Sequence, residues 1–312
     1  MVRGKVRIFT LLILVCMLCT LFLHPLRAMA VSESNGYTLS EVSRGRRVNT
    51  YSLEGISNLS IYTHSARAII LNWKNTGITG RMINGEIYVP IRRFVEENVG
   101  GARVGYNASS RTITVTGGGH NISVSDGAYA LYANGRVFFA RTPSRIMSDG
   151  AMYVPASVLS KAFSLSYSVS AYGSLLLSGA PRVAKSGAEY YDSDILYWLS
   201  RIISAESKGE SLVGQIAVGN VVLNRVRSPY FPNTVWGVIF DRKNGVQFSP
   251  VSNGTIYDSP AATSILAAKI CLDGFTVSDR VLYFLRPSAS TSSWIVNNRP
   301  FAFVIGNHYF FN

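Results

Sequence analysis

Glu206 is the residue whose position in the sequence most strongly suggests chemistry. It follows Leu199 by seven positions, Ile202 by four and Ile203 by three, which is the spacing of one buried face of an α-helix. That face therefore carries a carboxyl group at its C-terminal end. An apolar setting raises the pKa of a carboxyl group, and an acid that stays protonated near neutral pH can protonate a leaving group, as glycoside cleavage requires.

A structural role is the alternative for Glu206, since a side chain at a helix end can face solvent or pair with Lys208 or Arg225. Glu210 lies one turn further on but follows Gly209, so we expect its side chain to be more exposed and less suited to acid catalysis. The acidic residues after Glu210 fall in predicted turns or caps, where structural roles dominate; they are Asp241, Asp258, Asp273 and Asp279.

Other residue types in this half of the chain exclude several chemistries. His308 is the one histidine after residue 190, so a zinc site with two histidine ligands cannot form there. A Cys271–His308 pair would suit nucleophilic catalysis, but a cysteine late in an alanine-rich helix is more often a core residue. His64 and His120 lack the spacing of metal ligands, and no GxSxG or SxxK motif is present. We expect neither a metal nor a cofactor, which leaves carboxylate chemistry.

Cap signals and hydrophobic periods predict the elements that hold these residues. One helix ends before Gly209, and a second runs from Ser211 to about Arg227. A third helix has Ser259 at its N-cap and Pro260 at its first position. Three strands are expected at 281–285, 301–305 and 308–311. This half should form a mostly helical body with a small β-hairpin.

Two segments of the N-terminal half match each other at an offset of 65 residues: NGEIYVPIRRFVEENVG from Asn84 and DGAMYVPASVLSKAFSL from Asp149. Each predicts a turn at Asn-Gly or Asp-Gly, a short strand ending at proline and a helix of about ten residues. Each is followed by alternation typical of a hairpin. We interpret the pair as an internal duplication.

The first 30 residues have the layout of a secretory signal peptide. Basic residues precede an uncharged apolar run from Ile8 to Leu23, and Ala28-Met29-Ala30 supplies a cleavage signal. We expect export and cleavage rather than a retained membrane anchor. The formal net charge of +13 then falls to +9, and Cys271 remains without a disulfide partner. A basic exported protein meets anionic polymers outside the membrane, and we expect no nucleic-acid partner.

These patterns predict an α+β protein made of five segments. The segments are a signal peptide at 1–30, a spacer at 31–58, a duplicated α+β module at 59–180, a linker at 181–190 and a mostly helical domain at 191–312.

Both folded segments are similar to known families. Residues 60–180 resemble the stalk-like repeats named for the N-terminal domain of copper amine oxidases, through the twice-used signature of Asn or Asp followed by G-x-x-YVP. Residues 193–311 resemble the cell wall hydrolases of the SleB spore-cortex-lytic type, through the motifs ISAESKGE, GQIAVGNVVLNRVRSPYFPNTVWGVIF, QFSPV, VLYFLRP and IGNHYFF in that order. The second resemblance implies a lysozyme-like fold that cuts the glycan strands of peptidoglycan.

The resemblance also implies residue roles. Glu206 matches the Glu of the family's AE-x-x-GE motif, which acts as catalytic acid and base. Gln247, Ser249 and Tyr283 match family motifs and would hydrogen-bond sugar amides and hydroxyls, with roles as turn or core residues as the alternative; Glu210 is a further substrate-binding candidate. The implied reaction is that of a lytic transglycosylase, which closes a 1,6-anhydro ring on N-acetylmuramic acid with a single carboxyl group.

Two other functions stay open at this point. A muramidase would hydrolyse the same bond, and a noncatalytic wall-binding or spore-coat protein would use both folded segments for attachment. The expected partners are the glycan strands of spore cortex or vegetative wall, met outside the cell. The sequence leaves open a regulatory protein partner and the oligomeric state.

Overall fold

A computed structural model describes residues 65–243, 245–287 and 294–312. The predicted signal peptide and spacer lie outside the described residues. Among the helices of the described part, none has the length and apolar character needed to span a membrane.

The described part of the N-terminal half, residues 65–178, contains two sheets and two short helices. Its elements are β1 (Ser65–Leu71), β2 (Lys74–Ile83), β3 (Glu86–Pro90), α1 (Ile91–Asn98), β4 (Arg103–Asn107), β5 (Thr112–Gly117), β6 (His120–Ser125), β7 (Ala130–Ala133), β8 (Arg136–Phe139), β9 (Arg145–Ile146), β10 (Met152–Pro155), α2 (Ala156–Ala162), β11 (Ser166–Val169) and β12 (Leu175–Ser178). One sheet has the order β11-β12-β1-β2-β3-β10-β9, and the other runs β4-β5-β6-β7-β8.

The two matched segments form corresponding elements. Asn84 has a φ of 49° and the glycine after it a φ of 79°, the left-handed pair that a type I′ hairpin turn requires. β3 then ends at Pro90 and β10 at Pro155, and a helix follows each, of eight and seven residues rather than ten. The two strands pair antiparallel with Val89 opposite Val154. The hairpins that follow lie in different sheets, β4–β5 in the five-stranded one and β11–β12 in the seven-stranded one.

The C-terminal half is mostly helical, and the predicted small sheet is present. Its elements are α3 (Gly187–Tyr190), α4 (Ser193–Ser207), α5 (Leu212–Arg227), α6 (Val235–Ile239), α7 (Ser249–Asn253), a 3₁₀ turn (Thr255–Tyr257), α8 (Ala262–Leu272), β13 (Tyr283–Leu285), α9 (Trp294–Asn298), β14 (Phe301–Ile305) and β15 (His308–Phe311). The sheet has the order β13-β15-β14. Both halves together confirm the α+β class.

Helix α5 begins where its sequence predicts, and α4 buries the predicted apolar stripe. The Asp192 side chain caps α4, and the Ser211 hydroxyl accepts the N–H of Gly214 at the start of α5. Leu199 and the other residues of the predicted apolar stripe are fully buried. At Gly219 a Cβ atom would lie 2.8 Å from both Ile203 of α4 and Cys271 of α8, so the absence of a side chain there lets the three helices approach closely.

Helix α8 starts later than predicted. It begins at Ala262 with Ala261 at its N-cap, so the prediction of Ser259 as N-cap and Pro260 as first helical residue is wrong. The Ala261 N–H donates to the Ser204 hydroxyl of α4 at 3.0 Å. The Ser204 hydroxyl, which is distant in the sequence, therefore accepts a backbone N–H at the start of this helix. The chain stays extended through Ala261.

The predicted linker is packed against the N-terminal half. The Asn134 side chain donates to the Ala184 carbonyl oxygen at 3.0 Å, and the Gly187 N–H donates to the Asn134 carbonyl oxygen at 2.7 Å. Ser186 and Glu189 form a reciprocal capping box at the start of α3. Residues 184–190 are thus held by defined contacts.

Strand β8 contributes to the core of the C-terminal half. Val137 and Phe139 belong to the same apolar cluster as the buried faces of α4, α5 and α8. The Phe139 and Phe275 rings meet edge to face at a centroid distance of 4.9 Å. The two halves therefore share buried apolar surface.

Asp273 is the polar centre of this contact. Its side chain is 1% exposed and pairs with Arg136 of β8, whose Nε donates at 2.8 Å. The carboxylate also accepts the Val137 N–H at 3.2 Å and the Tyr191 hydroxyl. The Lys161 ammonium donates to the Asp273 carbonyl oxygen at 3.0 Å. A charge buried in this way is stable only while its partners are present.

We expect Asp273→Asn to destabilise the folded chain, because Arg136 would keep a buried charge without a counter-ion. Removal of one partner of a buried pair costs about 3–5 kcal/mol, so Tm should fall by roughly 5–15 °C. Differential scanning calorimetry measures this. Glu97→Gln, which breaks an exposed pair with Arg93, is the matched control and should shift Tm by about 1 °C or less. Equal Tm values for both variants would contradict the analysis.

Candidate active site

Glu206 lies in the last turn of α4, on the face that carries the buried apolar stripe. Its side chain is half-buried, and within the described residues no hydrogen-bond partner is found for its carboxyl group. Burial raises its pKa from 4.5 to about 7, against the opposing charge of Arg225. A carboxyl group in this state is protonated in a large fraction of molecules at neutral pH and is free to donate its proton.

Arg225 supplies the nearby positive charge. It projects from the last turn of α5 and is 5% exposed. Its Nε donates to the Leu282 carbonyl oxygen at 2.7 Å, and its Nη1 lies 3.5 Å from Oε1 of Gln247. Burial lowers the Arg225 pKa to about 10, while Tyr283, Asp241 and Glu206 act in the opposite direction. The guanidinium stays charged and is held in place by groups other than Glu206.

Aromatic rings surround the Arg225 guanidinium. Its central carbon lies 4.8 Å from the ring centroid of Phe231, 5.2 Å from that of Phe248 and 5.4 Å from that of Tyr283. Cation–π contacts of this kind partly replace the water that a buried guanidinium loses. Together with the hydrogen bonds they fix the cation in one position.

The structure connects two of the four predicted substrate-binding residues to this centre. Gln247 contacts Arg225, and its Nε2 donates to the Gly245 carbonyl oxygen at 3.2 Å. Tyr283 lies in β13 beside Arg225. Ser249 is the exposed first residue of α7, and in the described part of the chain no contact joins it to Glu206 or Arg225. Their roles in binding stay predictions.

Glu210 is not the exposed residue that the sequence led us to expect. Its side chain is 9% exposed and lies 3.6 Å from Nδ1 of His308. Asn307 donates to its two oxygens from the backbone N–H at 3.2 Å and from Nδ2 at 2.9 Å. The β14–β15 turn folds over it, and a Cβ at Gly306 would collide with the carboxylate. The prediction that Glu210 is exposed is wrong. Gly209 affects only the backbone next to it, whereas the turn at Gly306, 96 residues further along the chain, covers the Glu210 side chain.

Cys271 and His308 are both buried. The Cys271 thiol donates to the Ile216 carbonyl oxygen at 3.4 Å, and burial raises its pKa, the reverse of what a nucleophilic thiolate needs. Burial lowers the pKa of His308, against the effect of Glu210. Within the described residues no group of three or more His, Cys, Asp or Glu side chains is arranged to hold a metal ion.

Sequence reasoning missed the importance of Arg225 and of the amides that precede it on α5. The Asn220 side chain donates to the Phe275 carbonyl oxygen at 3.2 Å and accepts the Val277 N–H at 2.8 Å. Asn224 donates to the Ser278 and Val281 carbonyl oxygens at 3.0 and 2.9 Å. The available signal was the recurrence of Gln215, Asn220 and Asn224 along a helix that is otherwise apolar.

Family models match both halves of the chain. The model described as copper amine oxidase N-terminal domain matches residues 75–172, and the cell wall hydrolase model matches residues 209–311. The C-terminal half belongs to the cell wall hydrolase family. Both resemblances drawn from the sequence are confirmed. The second match begins three residues after Glu206 and therefore does not include it. It does include Glu210, Gln247, Ser249 and Tyr283. The case for Glu206 rests on its geometry.

Individual proteins are also similar to this chain. The chain is 38% identical over 120 residues to a spore cortex-lytic enzyme of Bacillus cereus and 40% identical over 125 residues to one of Halalkalibacterium halodurans, over 38% and 40% of this chain. It spans 45% and 36% of the length of those two enzymes. It is also 38% identical to the solved catalytic domain of the germination-specific lytic transglycosylase SleB from Bacillus anthracis, over 39% of this chain and 97% of that one, with a TM-score of 0.36.

The raised pKa of Glu206 should make the folded protein less stable as this carboxyl group ionises. Between an ordinary pKa of 4.5 and the folded-state value of about 7, the folded chain keeps a proton that the unfolded chain has lost. This group therefore lowers the free energy of unfolding as pH rises through that window, by roughly 1–3 kcal/mol. Glu206→Gln should remove the loss.

Thermal melts at about pH 4.5 and pH 8 measure the effect. Relative to the wild type, Glu206→Gln should gain Tm at the higher pH. Glu97→Gln, at an exposed carboxylate, is the control and should show no such gain. A Glu206→Gln melting curve that tracks the wild type at both pH values would mean that the carboxyl group is solvated like any surface Glu.

Proposed function

We propose that this chain is an exported peptidoglycan-degrading enzyme that cleaves the bond between N-acetylmuramic acid and N-acetylglucosamine as a lytic transglycosylase. The observation that carries the proposal is the Glu206 carboxyl group, half-buried, without a hydrogen-bond partner in the described chain and with a pKa of about 7. The names of the relatives point to cell wall as the substrate class, since those proteins are called spore cortex-lytic enzymes and a lytic transglycosylase.

The first step is proton transfer from Glu206 to the bridging glycosidic oxygen. The bond from the anomeric carbon of N-acetylmuramic acid to that oxygen breaks, and an oxocarbenium-like centre develops on the sugar. Glu206 becomes a carboxylate next to this positive centre. The fixed Arg225 charge stabilises the carboxylate at the moment it forms, which is where preorganised electrostatics contribute most.

The second step returns the proton to Glu206. As a carboxylate it removes the proton from the C6 hydroxyl of the same N-acetylmuramic acid, whose oxygen attacks the anomeric carbon and closes the 1,6-anhydro ring. The products are an N-acetylglucosamine end with a free hydroxyl and an anhydro end. Glu206 gives one proton to the glycosidic oxygen and regains one from the C6 hydroxyl, so one carboxyl group serves as acid and then as base.

Hydrolysis of the same bond is the second candidate, and it needs a carboxylate to position water. Both oxygens of Glu210 are engaged by Asn307. Asp241 accepts the Lys243 N–H at 2.9 Å in its own loop. Because both oxygens of Glu210 already accept hydrogen bonds and Asp241 is bonded within its own loop, the single-carboxyl mechanism is the better supported. A noncatalytic wall-binding protein is the third candidate and has no use for an acid at Glu206.

The remaining expectations belong to this proposal. Gln247, Ser249 and Tyr283 would bind sugar amides and hydroxyls, and Gln247 and Tyr283 are favoured because they contact Arg225. The C-terminal half would have a lysozyme-like fold, and the N-terminal module would derive from a duplication, as the paired Val89 and Val154 strands suggest. Export through the predicted signal peptide would bring the enzyme to spore cortex or vegetative wall.

We expect Glu206→Gln to lower the release of fragments from purified peptidoglycan by at least about a hundredfold, the usual contribution of an acid–base group. The exported full-length chain is incubated with cortex and with vegetative peptidoglycan, and products are identified by mass. Anhydromuramic ends from the wild type support the transglycosylase, whereas reducing ends support hydrolysis. Equal release by wild type and Glu206→Gln would refute the assigned role, and Glu97→Gln serves as the active control.

The proposed acid role also predicts a pH profile. Activity should fall above about pH 7, where Glu206 loses its proton. Arg225→Met removes the charge that lowers the Glu206 pKa, so the alkaline limb should move up by about one pH unit while the maximal rate drops. Arg225→Lys retains a charge and should shift the limb less. If the alkaline limbs of the pH–activity profiles of the wild type and Arg225→Met coincide, Arg225 does not influence the pKa of Glu206.

A further inference from the structure

We propose that a cluster of aromatic side chains beside the candidate site is a binding surface for the glycan strand beyond the cleaved bond. The cluster consists of Tyr197, Trp198, Trp236, Phe240 and Tyr257, and we call it the aromatic platform. The inference rests on the proposed function, because it requires that the substrate be a polymer that extends past Glu206.

The platform is joined by ring contacts. Trp198 and Phe240 meet edge to face at a centroid distance of 5.1 Å, and Trp236 stacks on Phe240 at 5.0 Å with 27° between the ring planes. Tyr257 and Tyr197 contact Trp198 edge to face at 6.2 and 4.9 Å. These geometries are the favourable ones for aromatic pairs. Each ring is therefore held in a defined orientation before a ligand arrives.

The outer members of the platform face solvent. Tyr197 is 43% exposed, Trp236 56% and Tyr257 61%. A cluster formed only to stabilise the fold would bury its largest rings, since exposed aromatic surface gains nothing from the hydrophobic effect. Here Phe240 lies beneath Trp236, and the inner ring supports the outer one. The arrangement presents rigid ring surface to the outside.

The platform is continuous with the candidate site along the chain. Phe240 and Tyr257 belong to the platform, and Gln247 and Phe248, which lie between them in the sequence, contact the Arg225 guanidinium. Trp198 and Glu206 lie eight residues apart on α4, an axial separation of about 12 Å. A polymer bound across Glu206 would thus reach the platform within a few sugar units.

The chemistry of the platform suits a pyranose chain. The C–H face of a sugar ring is apolar and slightly positive, and it packs on the negative face of an aromatic ring for the reason that cations do. The guanidinium carbon of Arg201 lies over the Tyr197 ring, 3.6 Å from its centroid, and adds a positive charge to the platform. This charge complements the carboxylates that the peptide side chains of peptidoglycan carry.

Binding is tested in the full-length exported chain with Glu206→Gln, so that substrate is not consumed. Trp236→Ala and Tyr257→Ala are added separately, and sedimentation with insoluble peptidoglycan gives the Kd of each. Each loss of a ring should weaken binding about three- to tenfold. The matched controls are Trp73→Ala and Tyr172→Ala, at residues that are 87% and 93% exposed in the N-terminal half, and they should leave the Kd unchanged.

Two further measurements distinguish a loss of ring stacking from a change in the fold, and the platform from the proposed catalysis. Trp236→Leu keeps an apolar side chain but no ring, so weaker binding with an unchanged circular dichroism spectrum assigns the effect to ring stacking. With Glu206 intact, Trp236→Ala should lose more activity on long strands than on tetrasaccharide fragments. Kd values equal to those of the controls would overturn the platform. Weaker binding in a chain that shows no cleavage would instead overturn the proposed catalysis and leave the platform as a glycan-binding surface.

Discussion

Helix α5 is buried along most of its length, and its polar side chains must therefore find partners inside the protein. Gln215 holds the Glu210 carbonyl oxygen and the Ser264 hydroxyl, and Asn220 and Asn224 hold the backbone between residues 275 and 281. Each buried polar group left unpaired would cost about 1–3 kcal/mol. The segments that surround the candidate site follow a path set by this helix, because any other path would break several such bonds together.

Arg225 of α5 is also buried and also needs partners inside the protein, and the partners it has determine the electrostatics of Glu206. If Arg225 formed a direct pair with Glu206, the carboxyl pKa would fall below its ordinary value. The guanidinium is instead bound by the Leu282 carbonyl oxygen, by Gln247 and by aromatic rings, so its charge acts on Glu206 without a hydrogen bond. Burial then outweighs the cation, and the pKa rises to about 7. The mechanism proposed above uses one group as acid and then as base, and such a balance suits a group of that kind.

Local signals in the sequence predicted most of the helical framework and the reason for interest in Glu206. The stripe at Leu199, the turn at Asn84 and the cap at Ser211 depend on neighbours within one or two turns of chain, and the structure has all three. Strands β6 to β9 between the matched segments were not predicted, because their short alternations gain meaning only when paired in a sheet. The exposure of Glu210 and the start of α8 were wrong for the same kind of reason, since distant residues supplied the deciding contact.

The loop from Asp273 to Leu282 connects the N-terminal module to the candidate site. Arg136 holds its first residue, and Arg141 donates to the Thr276 carbonyl oxygen at 3.0 Å. The amides of α5 hold the middle, and Arg225 binds its last carbonyl oxygen, next to Tyr283. One wall of the site thus rests on contacts from both halves of the chain. A C-terminal half without the module would keep the anchors from α5 but lose those from Arg136 and Arg141, and it would expose the apolar side chains that cover Val137 and Phe139. The module therefore acts as structural support for the site, independently of anything it binds by itself.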